Sequence, residues 1–235
     1  MNLPPFGFVC VHERPLADGV AREAEWIAEA AQGRRAIAHL WRGTPGWVVP
    51  RRCTALPAWA AVQARHGAVL QVRASGGGLV PQGPGIWNLS LAWPAGDATP
   101  ADMHAIYAAL CGALAAAFAR LGVSAAPQAV QGSFCDGRWN LAVHGRKLVG
   151  TAQAWRRCGG QQLVLAHALV IVGADPAALT EHANALEAEL GQGRPYRAEA
   201  LTSLAREVPT LPDLEARTLE VLAEQFARVV PPREA

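Results

Sequence analysis

The stretch VRASGGGLVPQGPGIWNLSL, from Val72 to Leu91, determines how the middle of this 235-residue chain folds. An apolar β-rich run at 68–72 leads through Arg73 into three consecutive glycines, and a second β-rich run begins at Gly85. Glycine adopts backbone conformations that other residues resist, and it lets a ligand approach the backbone N–H groups. We therefore predict two strands joined by a shaped turn. The stretch lacks the following helix of a dinucleotide fold and the Gly-Lys-Ser/Thr ending of a P-loop.

Helices and strands alternate along the rest of the chain, and strands dominate its third quarter. Apolar residues at helical spacing, with capping residues or glycine at the ends, predict helices at 17–32, 54–66, 99–121, 176–190 and 213–229. β-rich runs predict strands at 36–41, 46–49, 68–72, 85–93, 128–132, 139–143, 148–156 and 162–172. The hairpins among these strands favour one α+β domain over a doubly wound parallel sheet. We expect mixed, largely antiparallel sheets flanked by helices.

The bulk composition is that of a globular protein without a nucleic-acid or membrane partner. Hydrophobic residues make up 51% and charged residues 17%, and the formal net charge of +2 offers no concentrated basic surface. The N-terminus lacks a basic region followed by a long apolar run, and the alanine-rich run at 105–121 is too short to span a bilayer. We therefore expect a cytoplasmic protein that binds neither nucleic acid nor membranes.

The cysteines and histidines show no spacing that is typical of a metal centre. Five cysteines are spread along the chain without a CxxC pair, which argues against a redox motif and against a secreted disulfide framework. The histidines, His12 and His39 among them, likewise show no ligand spacing. No metal site is therefore predicted.

A second segment, from Gly132 to Arg157, contains two residues suited to covalent chemistry. Of the 21 lysine and arginine residues, Lys147 alone is a lysine, which indicates a position that needs a compact ammonium rather than a guanidinium fork. Cys135 lies in the turn SFCDG at 133–137, across a predicted hairpin from Lys147 with His144-Gly145 at its tip. A nearby ammonium raises the thiolate fraction of a reachable cysteine. The alternative for this cysteine is a buried, inert thiol.

Taken together, the two segments resemble the catalytic domains of the biotin/lipoate protein ligase superfamily. The first is similar to the RxSGGG loop of that superfamily with its downstream asparagine and serine, and GRKLVGTAQ is similar to its lysine signature. The resemblance covers most of the chain, from about Trp41 to the last predicted helix. GSFCDGRWNLAVHGRK is most similar to cysteine-dependent octanoyl transferases, including amidotransferases that move octanoyl groups between lipoyl domains. Asp136 and Trp155 depart from their pattern, Asp136 by standing where proline is usual.

The resemblance implies a fold and a set of site residues. It implies a catalytic domain of the biotin/lipoate ligase type that occupies 1–235 and has no C-terminal accessory domain. Cys135 and Lys147 would be the catalytic residues, with Lys147 contacting the acyl carbonyl and stabilising its developing oxyanion. The implied substrate-binding residues are Arg73, Ser75, Gly76, Gly77, Gly78, Gly83, Gly85, Asn88, Gly150, Thr151 and Ala152.

Three functions are open on this resemblance. In the first, Cys135 takes an octanoyl or lipoyl group from a thioester or amide and passes it to a lysine of a lipoyl domain, with no cofactor. In the second, an ATP-dependent lipoate-protein ligase uses ATP and Mg²⁺ to form lipoyl-adenylate, whose phosphate Arg73 and the glycine loop would hold. In the third, the protein binds lipoyl domains or acyl groups without turning them over. We favour the first.

The resemblance also implies the partners. They are lipoyl domains of the glycine cleavage H protein or of 2-oxoacid dehydrogenase subunits, or acyl carrier protein, together with a small-molecule acyl group. The choice between octanoyl and lipoyl groups and the oligomeric state are not determined by the sequence.

Overall fold

The protein is described by a computed structural model that covers residues 3–73, 77–96, 98–193 and 195–227. Two of the predicted substrate-binding residues, Ser75 and Gly76, lie outside the described residues. The described parts of the chain form two β-sheets with helices packed around them.

The larger sheet has seven strands in the described part of the chain, and a single pairing within it is parallel. In spatial order its strands are β1 (Val9–Val11), β2 (Ile37–Trp41), β6 (Ile86–Pro94), β10 (Gln161–Ile171), β9 (Arg146–Cys158), β8 (Asn140–Val143) and β7 (Ala126–Gln128). β1 and β2 are parallel, whereas every other pair of neighbours in this sheet is antiparallel.

The smaller sheet has three strands and lies over the middle of the larger one. Its central strand β3 (Gly46–Pro50) pairs in parallel with β4 (Leu70–Arg73) and antiparallel with β5 (Val80–Gln82). The glycine-rich loop thus connects two strands, β4 and β5, that lie on either side of β3. The two sheets confirm the predicted α+β fold with mixed, largely antiparallel strands.

The described residues form six α-helices. They are α1 (Gly19–Gly33), α2 (Trp59–His66), α3 (Met103–Ala119), α4 (Pro176–Glu189), α5 (Leu204–Glu207) and α6 (Leu214–Ala227). Side-chain caps precede two of them, and the cap at Thr99 is the one that the sequence predicts. The Asp175 carboxylate accepts hydrogen bonds from the N–H groups of Ala177 and Ala178, and Thr99 and Asp102 form a capping box on the 3₁₀ turn before α3.

Helix α3 packs against the larger sheet. By length and composition alone, Pro100–Ala119 could cross a membrane, with a mean hydropathy of 1.4, so the prediction that this run is too short to do so is wrong. In this fold, Ile106, Leu110, Leu114 and Phe118 lie on one helical face and are buried in the core beside the sheet and α6. Its apolar character is therefore explained by packing within the protein.

Several element boundaries differ from those predicted, and proline explains two of the differences. The helix predicted to start at Thr54 is a 3₁₀ turn at Arg51–Ala55, and α2 starts only at Trp59. Pro57 disfavours helical geometry at the preceding residue, and Leu56 is indeed extended. The segment at 80–82 pairs as a strand despite Pro81. Proline has no N–H to donate, but β5 is an edge strand, so no second neighbouring strand needs a hydrogen bond from it.

Two other strands were not predicted correctly because each has only three residues. The run predicted as a strand at 128–132 pairs only at Ala126–Gln128, and β1 was not predicted at all. A run of three residues is too short to show the alternation on which strand prediction depends.

Two hydrophobic clusters lie on opposite faces of the larger sheet. One is formed with α3 and α6 and includes Leu89, Leu114 and Phe226. The other joins the smaller sheet, α2 and α4 to the sheet's opposite face, and includes Val49 and Leu169. The candidate site lies on this second face, between the two sheets.

Candidate active site

An apolar cavity lies between the two sheets. Its lining comes from four neighbouring strands of the larger sheet, β2, β6, β10 and β9, and from all three strands of the smaller sheet. Val48, Val80 and Leu169 are among the apolar side chains that line it. Neighbouring strands lie about 4.8 Å apart, so the strands that contribute to the lining span three spacings, or about 14 Å. This is the length scale of an extended medium-length acyl chain.

Cys135 lines this cavity from the turn at 133–137, between β7 and β8. Its backbone φ of 61° is in the left-handed region, which a residue other than glycine keeps only when its surroundings hold it there. The Ser133 hydroxyl donates to the Val130 carbonyl at 2.8 Å, and the Asn140 side-chain amide donates to the Cys135 carbonyl at 2.8 Å. The side chain of Cys135 is partly exposed, so the thiol is reachable and not sealed in the core.

Lys147 reaches the same turn from the start of β9. The predicted hairpin is confirmed, with His144 and Gly145 at its tip and φ values of 49° and 75°, as in a two-residue turn with both φ values positive. The Lys147 side chain is only 3% exposed. Its ammonium donates to the Phe134 carbonyl and, at 3.2 Å, to the Cys135 carbonyl. The structure therefore brings the single lysine and Cys135 to one cavity.

Burial changes the chemistry of the Lys147 amine. Desolvation lowers the pKa of Lys147 to about 8, although nearby Cys135 opposes the shift. The amine is therefore charged at neutral pH but close to its titration range. A Cβ atom at Gly150 would lie 3.1 Å from both Cε and Nζ of Lys147, so glycine at this position leaves the space that the lysine occupies.

The glycine-rich loop is in contact with the turn that carries Cys135. A Cβ atom at Gly78 would lie 3.2 Å from the Cys135 nitrogen, and one at Gly77 would lie 3.7 Å from its sulfur. Arg73 is buried at the end of β4, where it donates to the Val48 carbonyl at 3.2 Å and to the Gly78 carbonyl at 2.5 Å. Burial lowers the pKa of Arg73 from its ordinary value. The arginine thus supports the loop next to the thiol.

Amide side chains form part of the cavity lining on β5 and β6. Asn88 and Gln82 exchange two hydrogen bonds, at 2.8 and 3.1 Å, and both line the cavity. The Asn88 amide also donates to the Trp41 carbonyl at 3.4 Å. Asn88 is therefore at the predicted place, and Gln82 is a lining residue that the sequence did not reveal, because it lies in a short proline-containing strand.

A buried carboxylate network forms another part of the lining, next to α1 and β2. The Glu23 carboxylate accepts from the Ser90 hydroxyl at 2.8 Å and lies 2.9 Å from Nδ1 of His167. The Trp41 indole N–H donates to the Ser90 oxygen at 3.0 Å. Glu23, His167 and Trp41 line the cavity. Glu23 was not predicted, because an acidic residue on an amphipathic helix ordinarily faces water.

A polar groove meets the apolar cavity at Cys135. Gly77 and Cys135 line both spaces. The groove is also lined by Arg52, Gly78, Gln131, Asp136, Glu187, Gln192 and Tyr196. The Tyr196 hydroxyl donates to the Glu187 carboxylate at 2.5 Å, and burial together with this carboxylate raises the pKa of Tyr196. One side of Cys135 thus faces an apolar cavity and the other an open polar surface.

The structure groups most, but not all, of the predicted site residues. Those that line the cavity are Arg73, Gly77, Asn88, Cys135, Lys147, Gly150, Thr151 and Ala152, whereas Gly78 lines the groove. Gly83 and Gly85 line neither space. A Cβ atom at Gly83 would contact Pro45, and one at Gly85, where φ is 75°, would lie 2.4 Å from the Ala174 nitrogen. Both glycines shape the turn into β6, and a role for them in substrate binding stays a prediction.

The fold and the motifs lead to one family. The family model of the lipoyl protein ligase A/B catalytic domain matches residues 19–227. The chain belongs to this family. It is therefore an enzyme of the group that comprises lipoate-protein ligases and octanoyltransferases. This membership argues against the alternative of a non-catalytic binding protein.

Two sequence relatives extend over most of the chain. An uncharacterized protein of Cupriavidus necator is 40% identical over 252 residues, covering 97% of this chain and 99% of its own. The octanoyl-[GcvH]:protein N-octanoyltransferase of Kyrpidia tusciae is 34% identical over 214 residues, covering 83% of this chain and 70% of its own.

A solved structure with the same fold is that of lipoate-protein ligase A bound with ATP. It superposes with a TM-score of 0.68, the match covers 95% of this chain and 85% of that chain, and the two are 19% identical. At this identity the likeness shows the fold alone.

Proposed function

We propose that this enzyme moves an octanoyl or lipoyl group through a thioester on Cys135 to a lysine of a lipoyl domain. The observation that carries the proposal is the position of Cys135, which lines both an apolar cavity and a polar groove and lies beside Lys147. An acyl chain in the cavity would place its carbonyl at the thiol, and the groove would admit the protein that donates or accepts the chain.

The first half-reaction would load Cys135. Its thiolate attacks the acyl carbonyl of a thioester or amide carried by a donor protein, and the carbonyl oxygen becomes an oxyanion. The bond to the donor then breaks, and the departing thiolate or amine takes up a proton. An ammonium has three N–H groups, and Lys147 uses two of them on the Phe134 and Cys135 carbonyls. We assign the third to the acyl oxygen, where charge develops.

The second half-reaction would unload Cys135. The neutral ε-amine of the acceptor lysine attacks the thioester, the thiolate of Cys135 departs, and the new ammonium loses a proton to yield an amide. Dividing the transfer into two steps lowers each barrier. A thioester donor supplies the chemical energy for amide formation, and transfer from one amide to another is nearly balanced in energy, so neither reaction needs ATP. No cofactor is thus required by this proposal, and we expect the reaction to occur in the cytoplasm.

The candidate partners follow from the relative with a known reaction. Because the Kyrpidia tusciae protein is named for octanoyl-GcvH as its donor, we propose the glycine cleavage H protein as donor or acceptor here. Lipoyl domains of 2-oxoacid dehydrogenase subunits and acyl carrier protein complete the set to be tested. The charged groups in the groove that a docking partner would meet are Arg52, Asp136 and Glu187.

The second candidate function is an ATP-dependent lipoate-protein ligase. Arg73 and the N–H groups of Gly77 and Gly78 would then hold the phosphate of an acyl-adenylate, with ATP and Mg²⁺ as co-substrates. The guanidinium of Arg73 already donates to two backbone carbonyls, and Gly78 packs against Cys135. These contacts favour a loop that supports the thiol.

Transfer to a lipoyl domain with and without ATP tests the two functions against each other. We expect an octanoyl donor protein to acylate the domain without ATP, and Cys135→Ser to abolish this transfer. Cys158→Ser, which changes another partly exposed cysteine, is the matched control and should retain it. Transfer that requires ATP, releases pyrophosphate and survives Cys135→Ser would establish the ligase instead.

A further inference from the structure

A cluster of one cysteine and two histidines lies at the edge of the larger sheet, away from the candidate active site. Cys10 and His12 are two residues apart along β1 and its extension, so their side chains lie on the same face of the sheet. β1 pairs in parallel with β2 so that Cys10 is opposite His39. The pairing continues to His12, whose N–H donates to the Leu40 carbonyl at 2.8 Å. Sheet register therefore brings together three residues that no sequence spacing connects.

The distances between the donor atoms are those of a metal centre. Nε2 of His12 lies 3.1 Å from Nδ1 of His39 and 3.9 Å from Sγ of Cys10, and the three donor atoms all lie within 4.8 Å of one another. Tetrahedral Zn²⁺ with bonds of about 2.0 Å to nitrogen and 2.3 Å to sulfur places two nitrogens about 3.3 Å apart and a nitrogen and a sulfur about 3.6 Å apart. These two separations therefore need shifts of only a few tenths of an ångström, and the separation between the donor atoms of Cys10 and His39, which is within 4.8 Å, must close to about 3.6 Å.

The imidazole rings are held in place by an aromatic side chain. The Trp26 ring on α1 stacks on His39 with centroids 4.1 Å apart and an angle of 7° between the planes. It also lies 5.6 Å from the His12 ring, which stacks on His39. The site is therefore largely formed before an ion binds.

Solvent and ions can reach the cluster. Cys10 and His12 are partly exposed, and Cys10 and His39 line a surface pocket together with Glu29 and Phe8. Two arginines lie nearby, and each is paired with a carboxylate: Arg22 with Glu25 at 3.0 Å and Arg35 with Glu29 at 2.7 Å. The local charge is thus balanced, and a cation meets no unpaired arginine among these neighbours.

We propose that Cys10, His12 and His39 bind a Zn²⁺-like transition-metal ion. The Cys10 thiol loses its proton to the solvent and binds as a thiolate, the two imidazoles bind through nitrogen, and water occupies the fourth position from the pocket. Because Cys10 and His12 belong to the β1 segment and His39 to β2, the ion joins the edge strand to the sheet. It would therefore stabilise this edge of the sheet, and it does not depend on the function proposed for Cys135.

Co²⁺ titration of the full chain in the Cys135→Ala background tests this site directly, because that background removes the partly exposed thiol beside Lys147. We expect one ion per chain, with a thiolate-to-metal absorption band and the intense visible bands of tetrahedral cobalt, both displaced by Zn²⁺. Zn²⁺ should also raise the melting temperature. Cys10→Ser should abolish the charge-transfer band, and His12→Gln should weaken Zn²⁺ binding by more than about tenfold.

The controls are Cys158→Ser and His104→Gln, which change a partly exposed cysteine and a histidine outside the cluster and should leave binding unchanged. Cys10 and His12 are partly exposed, so their variants should fold, and circular dichroism checks this. Failure of the wild-type chain to bind one Zn²⁺ at about 100 μM overturns the proposal. Equal affinity in Cys10→Ser, His12→Gln and the controls also overturns it.

Discussion

At the scale of single residues, the space and the hydrogen-bond acceptors around position 147 explain why it is a lysine. Lys147 is buried, donates to two carbonyls of the cysteine turn, and fills a space that Gly150 leaves open. A guanidinium is broader and carries five donors in a rigid plane, so it would not satisfy the same contacts. The limited space beside the cysteine turn therefore explains both the lysine at position 147 and the glycine at position 150.

Gly150→Ala should move the Lys147 ammonium and slow acylation of Cys135. The added Cβ atom would lie 3.1 Å from Cε and Nζ, so the lysine must shift away from the acyl oxygen. Single-turnover acylation measures the effect, which we expect to be about tenfold or more. Gly112→Ala, in α3 with nothing within 4 Å of its new Cβ, is the control and should leave the rate unchanged. Equal rates in the two variants would contradict the assigned position of the ammonium.

The titration of Lys147 can be observed directly, because an isotope-labelled lysine gives one signal from this chain. We expect an NMR titration midpoint near 8, since burial lowers the pKa of Lys147 to about 8. The amine should therefore be charged below that pH and lose its charge above it. Removing the thiol with Cys135→Ala should lower the midpoint further, because Cys135 raises this pKa. A midpoint near the ordinary lysine value of about 10.4 would show an exposed amine.

At the scale of elements, sequence patterns predicted the long elements well and missed the short ones. The hairpin around Gly145 was predictable because its turn residues and flanking alternation are strong local signals. β1 and β5 have three residues each, and their pairing depends on neighbours far along the chain. For the same reason Gln82 and the cluster of Cys10, His12 and His39 could not be found, since strand register alone brings their partners close.

Helix α1 shows how an amphipathic pattern can hide a functional group. Glu23 was not among the predicted site residues, but it accepts hydrogen bonds from Ser90 and His167 beside the cavity. The sequence cannot show this, because both partners lie on strands more than 60 residues away, at separations of 67 and 144 residues. By contrast, Cys135, Lys147 and Arg73 were predicted, since their motifs are local and the family resemblance joins them.

Glu23→Ala should destabilise the protein by about 1–3 kcal/mol, because it leaves the buried donors of Ser90 and His167 without their acceptor. Urea denaturation measures the change. The matched control on the same helix is Glu25→Ala, whose exposed ion pair with Arg22 should contribute less than about 1 kcal/mol. A cost for Glu23→Ala no greater than that of the control would mean that the network does not stabilise the cavity wall.

At the scale of the whole molecule, two stacked sheets create a space that neither could form alone. The smaller sheet covers β2, β6, β10 and β9 and leaves an apolar cavity between them, and the glycine-rich loop and the turn at 133–137 meet where this cavity opens into the polar groove. This division suits a reaction in which an apolar chain stays bound while protein partners exchange at its carbonyl end. The central claim is that Cys135 carries the chain between them.

The mass of the intact protein after exposure to an octanoyl donor protein, without ATP, tests this claim most directly. The account predicts an added mass of one octanoyl group, localised to Cys135 by peptide mapping, absent in Cys135→Ala and removed when an unmodified lipoyl domain is added. An unmodified protein that nevertheless transfers octanoyl to the domain, or an adduct that persists in Cys135→Ala, would contradict it.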